Sequence, residues 1–146
     1  MSSVRERIIE AALAALNTST PVGVPQSDRL RMEPYQLGDL PAIVIMPLRE
    51  EVEPLKDGRW GPLINRTLTL RVACYAAGNP ADGMIDPLLT WADAALDSNQ
   101  FGGLANDTLP ALIEWQYAAE DQQFAVALAD YRIMYQTKRA DATATQ

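Results

Sequence analysis

Thr67-Leu68-Thr69-Leu70-Arg71-Val72-Ala73-Cys74-Tyr75-Ala76-Ala77 is the cleanest alternation in the chain. Leu68, Leu70, Val72, Cys74 and Ala76 fall on one side, and Thr67, Thr69, Arg71, Ala73 and Tyr75 on the other. Side chains along a strand alternate between faces, so a period of two predicts a strand with one face buried. Everything else in the chain is placed by what must cover that face. Gly78-Asn79-Pro80 ends the run.

Downstream, Asp86 followed by Pro87 has the pattern of a helix start, an N-cap acid before proline at the first helical position. Leu88, Leu89, Trp91, Ala92, Ala95 and Leu96 then share one face, while Thr90, Asp93, Ala94 and Asp97 share the other. An apolar stripe of this kind predicts a helix lying on the sheet. Phe101-Gly102-Gly103 breaks the chain, and 111–119 and 123–136 read as two strands around Glu120-Asp121-Gln122. In the second of these, Phe124, Val126 and Leu128 give way to Tyr131, Ile133 and Tyr135. A one-residue slip exchanges faces, so a bulge or strong bend is expected near Ala129-Asp130.

Upstream, 42–48 is a short apolar run whose Pro47 marks a bend or an edge. Glu50, Glu51 and Glu53, then Asp57-Gly58, then Arg59 and Trp60, predict a hairpin arm over 49–66 turning at Asp-Gly. Residues 18–40, with Pro21, Pro25 and Pro34, read as a long irregular connection. Ser3 and Glu6 have capping-box spacing before Val4, Ile8, Ile9, Ala12, Leu13 and Leu16, so 3–16 is a predicted helix with Asn17 at its end. The expected architecture is α+β: a mostly antiparallel sheet with two helices packed on one face, plus an extended hairpin arm. Residues 1–137 form the expected single domain, and 138–146 an expected flexible C-terminal tail.

Composition narrows the chemistry. The chain has 146 residues, 48% of them apolar, no histidine and a formal charge of −7. Histidine is the commonest general base and metal ligand, so its absence removes whole classes of mechanism, and no enzyme is expected. The single cysteine, Cys74, lies in the alternating run as a core residue. A negative chain repels nucleic acid on average. No apolar run approaches the roughly 18 residues of a membrane helix, and the N-terminus lacks a signal-peptide pattern, so no membrane contact is expected. Glu50, Glu51 and Glu53 read as a solvated face rather than as a metal or catalytic cluster. Asp93 and Asp97, spaced i,i+4, read the same way rather than as a magnesium site. No catalytic, cofactor-binding or metal residue is predicted, and no cofactor.

The order of elements resembles the tail terminator family of long-tailed bacteriophages, the lambda-type minor tail protein U. The pieces that carry the likeness are the helix Val4 to Leu13, the strand entry Asp39 to Ile45, and the acidic arm. Leu68 to Val72, Trp91-Ala92-Asp93 and Ala129 to Tyr135 continue it. The proline-rich connection and the tail beyond Lys138 are longer than the family pattern. What the resemblance implies is a ring, usually of six subunits, in the virion at the head-proximal end of the tail, assembled in the host cytoplasm. Such a ring caps the major tail tube protein, stops its polymerisation and offers a surface to a head-completion or neck protein, with DNA only passing through the lumen. Under this reading Glu50, Glu51, Glu53, Arg59, Trp60, Arg71 and Arg132 are the interface candidates: an exposed Trp–Arg pair suits a hot spot, and the strand arginines suit salt bridges between neighbours. Acids lining the lumen would keep DNA from sticking. Two other readings stay open: a neck protein of the head–tail junction, and a non-viral α+β domain that binds a small molecule.

Overall fold

The computed structural model describes residues 2–18, 27–29, 41–54, 63–77, 81–117 and 124–138. Among them the chain runs α1 (Val4–Thr18), β1 (Asp28–Arg29), β2 (Ala42–Pro54), β3 (Leu63–Ala77), α2 (Ala81–Leu96), a 3-10 turn (Phe101–Gly103), β4 (Asp107–Tyr117) and β5 (Phe124–Lys138). The fold is α+β, as the alternation in β3 predicts. One sheet of five strands has the order β1-β2-β3-β5-β4. The pairs β2–β3, β3–β5 and β5–β4 are antiparallel, and β1 adds a two-residue parallel rung at Val44 and Ile45.

Both helices cover one face. Leu68, Leu70, Val72, Cys74 and Ala76 of β3 join Ile43 and Ile45 of β2 and Ala125, Ala127, Ala129, Tyr131, Ile133 and Tyr135 of β5 in a single buried cluster. Ile8, Ile9, Ala12 and Leu16 of α1 and Ile85, Leu88, Leu89, Ala92 and Leu96 of α2 close it from above. The residues on the far side of the sheet, such as Ala73 and Val44, stand outside that cluster.

The expected slip in the last strand does not occur. β5 keeps an unbroken register with β3 from Ala77↔Phe124 to Leu63↔Lys138. Its core positions are the odd-numbered ones throughout, beginning with three alanines, while Val126 and Leu128 are half-buried on the far face. Small side chains let a helix approach a sheet closely, so core membership here follows the space available and not side-chain size. The bulge lies instead in the neighbouring strand, between Pro110 and Leu112 of β4, opposite Tyr131 and Asp130.

Several boundaries also move: α1 runs on to Thr18, and β4 begins at Asp107, four residues before its expected start. α2 begins at Ala81, so Pro87 sits inside it rather than at its first position. Ile85 is fully buried and extends the apolar face by a turn, and that burial favours helix upstream of the proline. The arm differs too. β2 and β3 stay paired to Pro54 and Ile64, but β5 accompanies β3 as far as Leu63↔Lys138, so the root of the arm is three-stranded. Lys138, placed in the tail by the sequence, is the last residue of β5. The Asp57-Gly58 turn, the 18–40 connection beyond its described residues, the Glu120-Asp121-Gln122 turn and the tail from 139 onward lie outside the described residues.

At the other end, the backbone N–H of Glu6 donates to Ser3 Oγ at 3.1 Å, so Ser3 caps α1 as its spacing predicts. The Glu6 side chain does not complete the box. It takes the Arg29 guanidinium instead, one Nη2–Oε2 contact being 2.9 Å, and so ties β1 to α1. The Phe101-Gly102-Gly103 break is a left-handed turn, with φ of 50°, 68° and 93° at the three residues. Phe101, a residue for which positive φ is costly, is held there by burial of its ring and by its N–H donating to Asn99 Oδ1 at 2.8 Å.

Candidate functional site

The interface candidates divide into three groups. Glu50, expected on a solvated face, is the most enclosed of the acids on β2, its side chain 10% exposed. Beyond the irregularity between Pro47 and Arg49, β2 places Glu50 opposite Leu68, on the helix-bearing face. There it meets Arg5 from the first turn of α1 (Nη2–Oε2 2.7 Å), Arg66 of β3 (Nη1–Oε2 3.0 Å) and the Tyr135 hydroxyl of β5, which donates to Oε1. Arg66 also donates from Nε to Thr137 Oγ1 at 2.9 Å. One carboxylate therefore joins α1, β2, β3 and β5.

The electrostatics of this cluster are set by competition. Burial works against the Glu50 carboxylate, but hydrogen bonds from Arg5 and Tyr135, with further help from Arg66, outweigh it and hold the carboxyl below its ordinary value. The same contacts push the Arg5 guanidinium up, chiefly through its hydrogen bond to Glu50, and burial together with Glu50 pushes the Tyr135 hydroxyl up. All three groups stay in their usual charge states near neutrality. The cluster is a clamp without a titrating group suited to acid–base chemistry at that pH.

Glu51 and Glu53 point to the other face and are exposed, with Arg49 approaching Glu51 only at 3.9 Å. Arg71 of β3 is held within the chain: it faces its cross-strand partner Asp130 of β5, with Nε–Oδ1 at 2.8 Å and Nη2–Oδ2 at 3.2 Å, on the side away from the helices. Arg132 lies exposed on that same side, between Thr69 and Leu109. Arg59 and Trp60 lie outside the described residues. The structure thus brings Glu50 into a clamp and Arg71 into a pair, and leaves Glu51, Glu53 and Arg132 on open surface.

Several residues escaped the sequence reading. Arg5, Arg66 and Tyr135 gave no local signal, because their partner is distant along the chain. Asp93, assigned to the outer side of α2, accepts a hydrogen bond from Tyr131, whose hydroxyl is pushed up by burial and then by that contact. Asp97 stays exposed. Among the described residues, β4 carries three exposed large apolar side chains: Leu109 is 44%, Leu112 49% and Trp115 47% exposed. Trp115 lies on the helix-bearing side, opposite Ala127, and its strand is an edge of the sheet.

Among the described residues no group of three or more potential metal ligands is found. No helix among them is long and apolar enough to cross a membrane. Cys74 is fully enclosed, and burial pushes its thiol up to about 12, which leaves little thiolate for nucleophilic attack near neutral pH. Comparison of the chain with protein-family models and with curated proteins gives no match.

Proposed function

We propose that this chain is a non-enzymatic assembly protein of the tail-terminator type, a ring-forming subunit that caps a phage tail tube and presents a joining surface to the head. The observation that carries the reading is the layout itself. α1, then β2 and β3 with their extended root, then α2, then β4 and β5, follow the element order on which the resemblance to tail terminators rests. Ring closure uses heterologous contacts between neighbours, and stacking on a tube end uses a second face. Among the described residues, the face of the sheet away from α1 and α2 carries exposed Arg132, Glu51, Glu53 and Leu109, and the root of the arm is three-stranded, which supports separate surfaces for the two tasks. In this role the partners are further copies of the chain, the tube protein and a neck protein, and DNA is a passenger.

The test is to measure the mass of the purified chain by light scattering, alone and with purified tail tubes, and to image the tubes. A ring seated on one tube end supports the reading. A chain that stays monomeric and never associates with tube ends sinks it. Deleting the gene separates terminator from neck: overlong tails indicate the former, and filled heads beside normal tails the latter.

A further inference from the structure

An edge strand exposes a row of unpaired backbone N–H and C=O groups, and proteins usually defend it with proline, a bulge, charges or a covering segment. The two edges of this sheet are defended unequally. On the β2 side, β1 covers Val44 and Ile45, an irregularity interrupts the strand at Pro47–Arg49, and Arg49, Glu51 and Glu53 line the rest with exposed charge. On the β4 side, Pro110 and the bulge before Leu112 blunt only the first part of the strand. From Leu112 to Tyr117 β4 pairs with β5 in regular register from Leu112↔Asp130 to Tyr117↔Ala125. Its other side has no partner among the described residues. That stretch contains no proline and no basic residue, and its described side chains include the exposed Leu112, Glu114, Trp115 and Gln116.

We infer that the Leu112–Tyr117 edge of β4 receives an added strand from a different protein, a segment in which aliphatic and basic residues alternate. The backbone supplies the hydrogen bonds of strand addition, and the side chains flanking them select the sequence. Trp115 and the half-buried Ile113 lie on the helix-bearing side, where they offer apolar contact to every second residue of the incoming strand. Glu114, on the opposite side between Leu112 and Gln116, favours a lysine or arginine across from it, since opposite charges facing each other across strands stabilise pairing and like charges oppose it. A second copy of this chain fits poorly. A second copy offers two edges among the described residues: β2 beyond Pro47 presents Glu51 and Glu53 to Glu114, and a second Leu112–Tyr117 edge holds no basic residue to face it. This inference stands whether or not the ring reading holds.

The experiment uses the full chain and two capped octapeptides, one alternating valine with lysine and one alternating valine with glutamate, with amide exchange followed residue by residue. The valine–lysine peptide is expected to slow exchange at least tenfold within 112–117 and to bind at least tenfold more tightly than its acidic counterpart. The exposed substitution Glu114→Lys is expected to invert that preference without changing the fold. Equal binding of the two peptides, protection elsewhere than 112–117, or a preference unchanged by Glu114→Lys would each overturn the inference. Concentration-dependent protection of 112–117 in the chain alone would overturn it too, by making a second copy the occupant.

Discussion

Glu50 of β2 and Arg66 of β3 meet at 3.0 Å on the helix-bearing face of the sheet, and Arg5 reaches the same carboxylate from α1 at 2.7 Å. Removing the charge at position 50 leaves two guanidinium groups facing one another with no counter-ion between them. Truncating one partner of an enclosed, hydrogen-bonded charge cluster costs more than the cluster contributes, because the remaining charges keep their desolvation penalty. Glu50→Gln is therefore expected to lower stability by about 2–3 kcal/mol. Glu51→Gln, at an exposed site one residue on, is expected to change it by less than about 0.5 kcal/mol. Urea unfolding of both variants checks this, and equal midpoints would remove Glu50 from the fold's support.

The same cluster fixes a pH window. The Glu50 carboxyl is held below its ordinary value of 4.5 in the folded chain. A group whose folded value is depressed contributes stability above its unfolded value, and that contribution fades as pH falls through the folded one. The stability gap between the native chain and Glu50→Gln should accordingly be constant from neutrality down to about pH 5 and narrow only in more acid solution. Unfolding free energies taken stepwise from pH 7 to pH 3 test the sign. A gap that closes already near pH 6 would mean that another group carries it.

Cys74 gives a third expectation. It is fully buried and its thiol is pushed up to about 12, so native protein should resist a thiol reagent at pH 8, while unfolded protein reacts at once. Labelling in the native state should then proceed at the rate of opening of the core and respond to denaturant in step with it. Rapid native labelling would show that β3 opens locally.

What the sequence disclosed and what it hid follow from range. β3 was legible because a period of two needs only neighbouring residues, and α1 because Ser3 and its apolar stripe are local. The positions of Arg5, Arg66 and Tyr135 around Glu50 depend on pairings such as Arg66↔Tyr135, which no window of the chain contains. Asp93 was misplaced because a helix-face argument ranks residues by polarity, whereas a buried Tyr131 hydroxyl demands an acceptor. β4 was recognised as a strand, but its place at the edge follows from strand order, which puts β5 between it and β3.

The register of β5 provides the last prediction, because here size and burial disagree. Ala127 is fully buried beneath the helices, and Leu128 is half-buried on the opposite face. Enlarging a residue in a closely packed interior forces neighbours off their rotamers at a cost of about 1–3 kcal/mol, so Ala127→Leu should destabilise despite adding apolar surface. Leu128→Gln should cost under about 1 kcal/mol, since its side chain already meets solvent. Were the large side chains of this segment the core set, as their hydrophobicity alone suggests, the order of the two effects would reverse. Thermal unfolding of the pair of variants decides between the two registers.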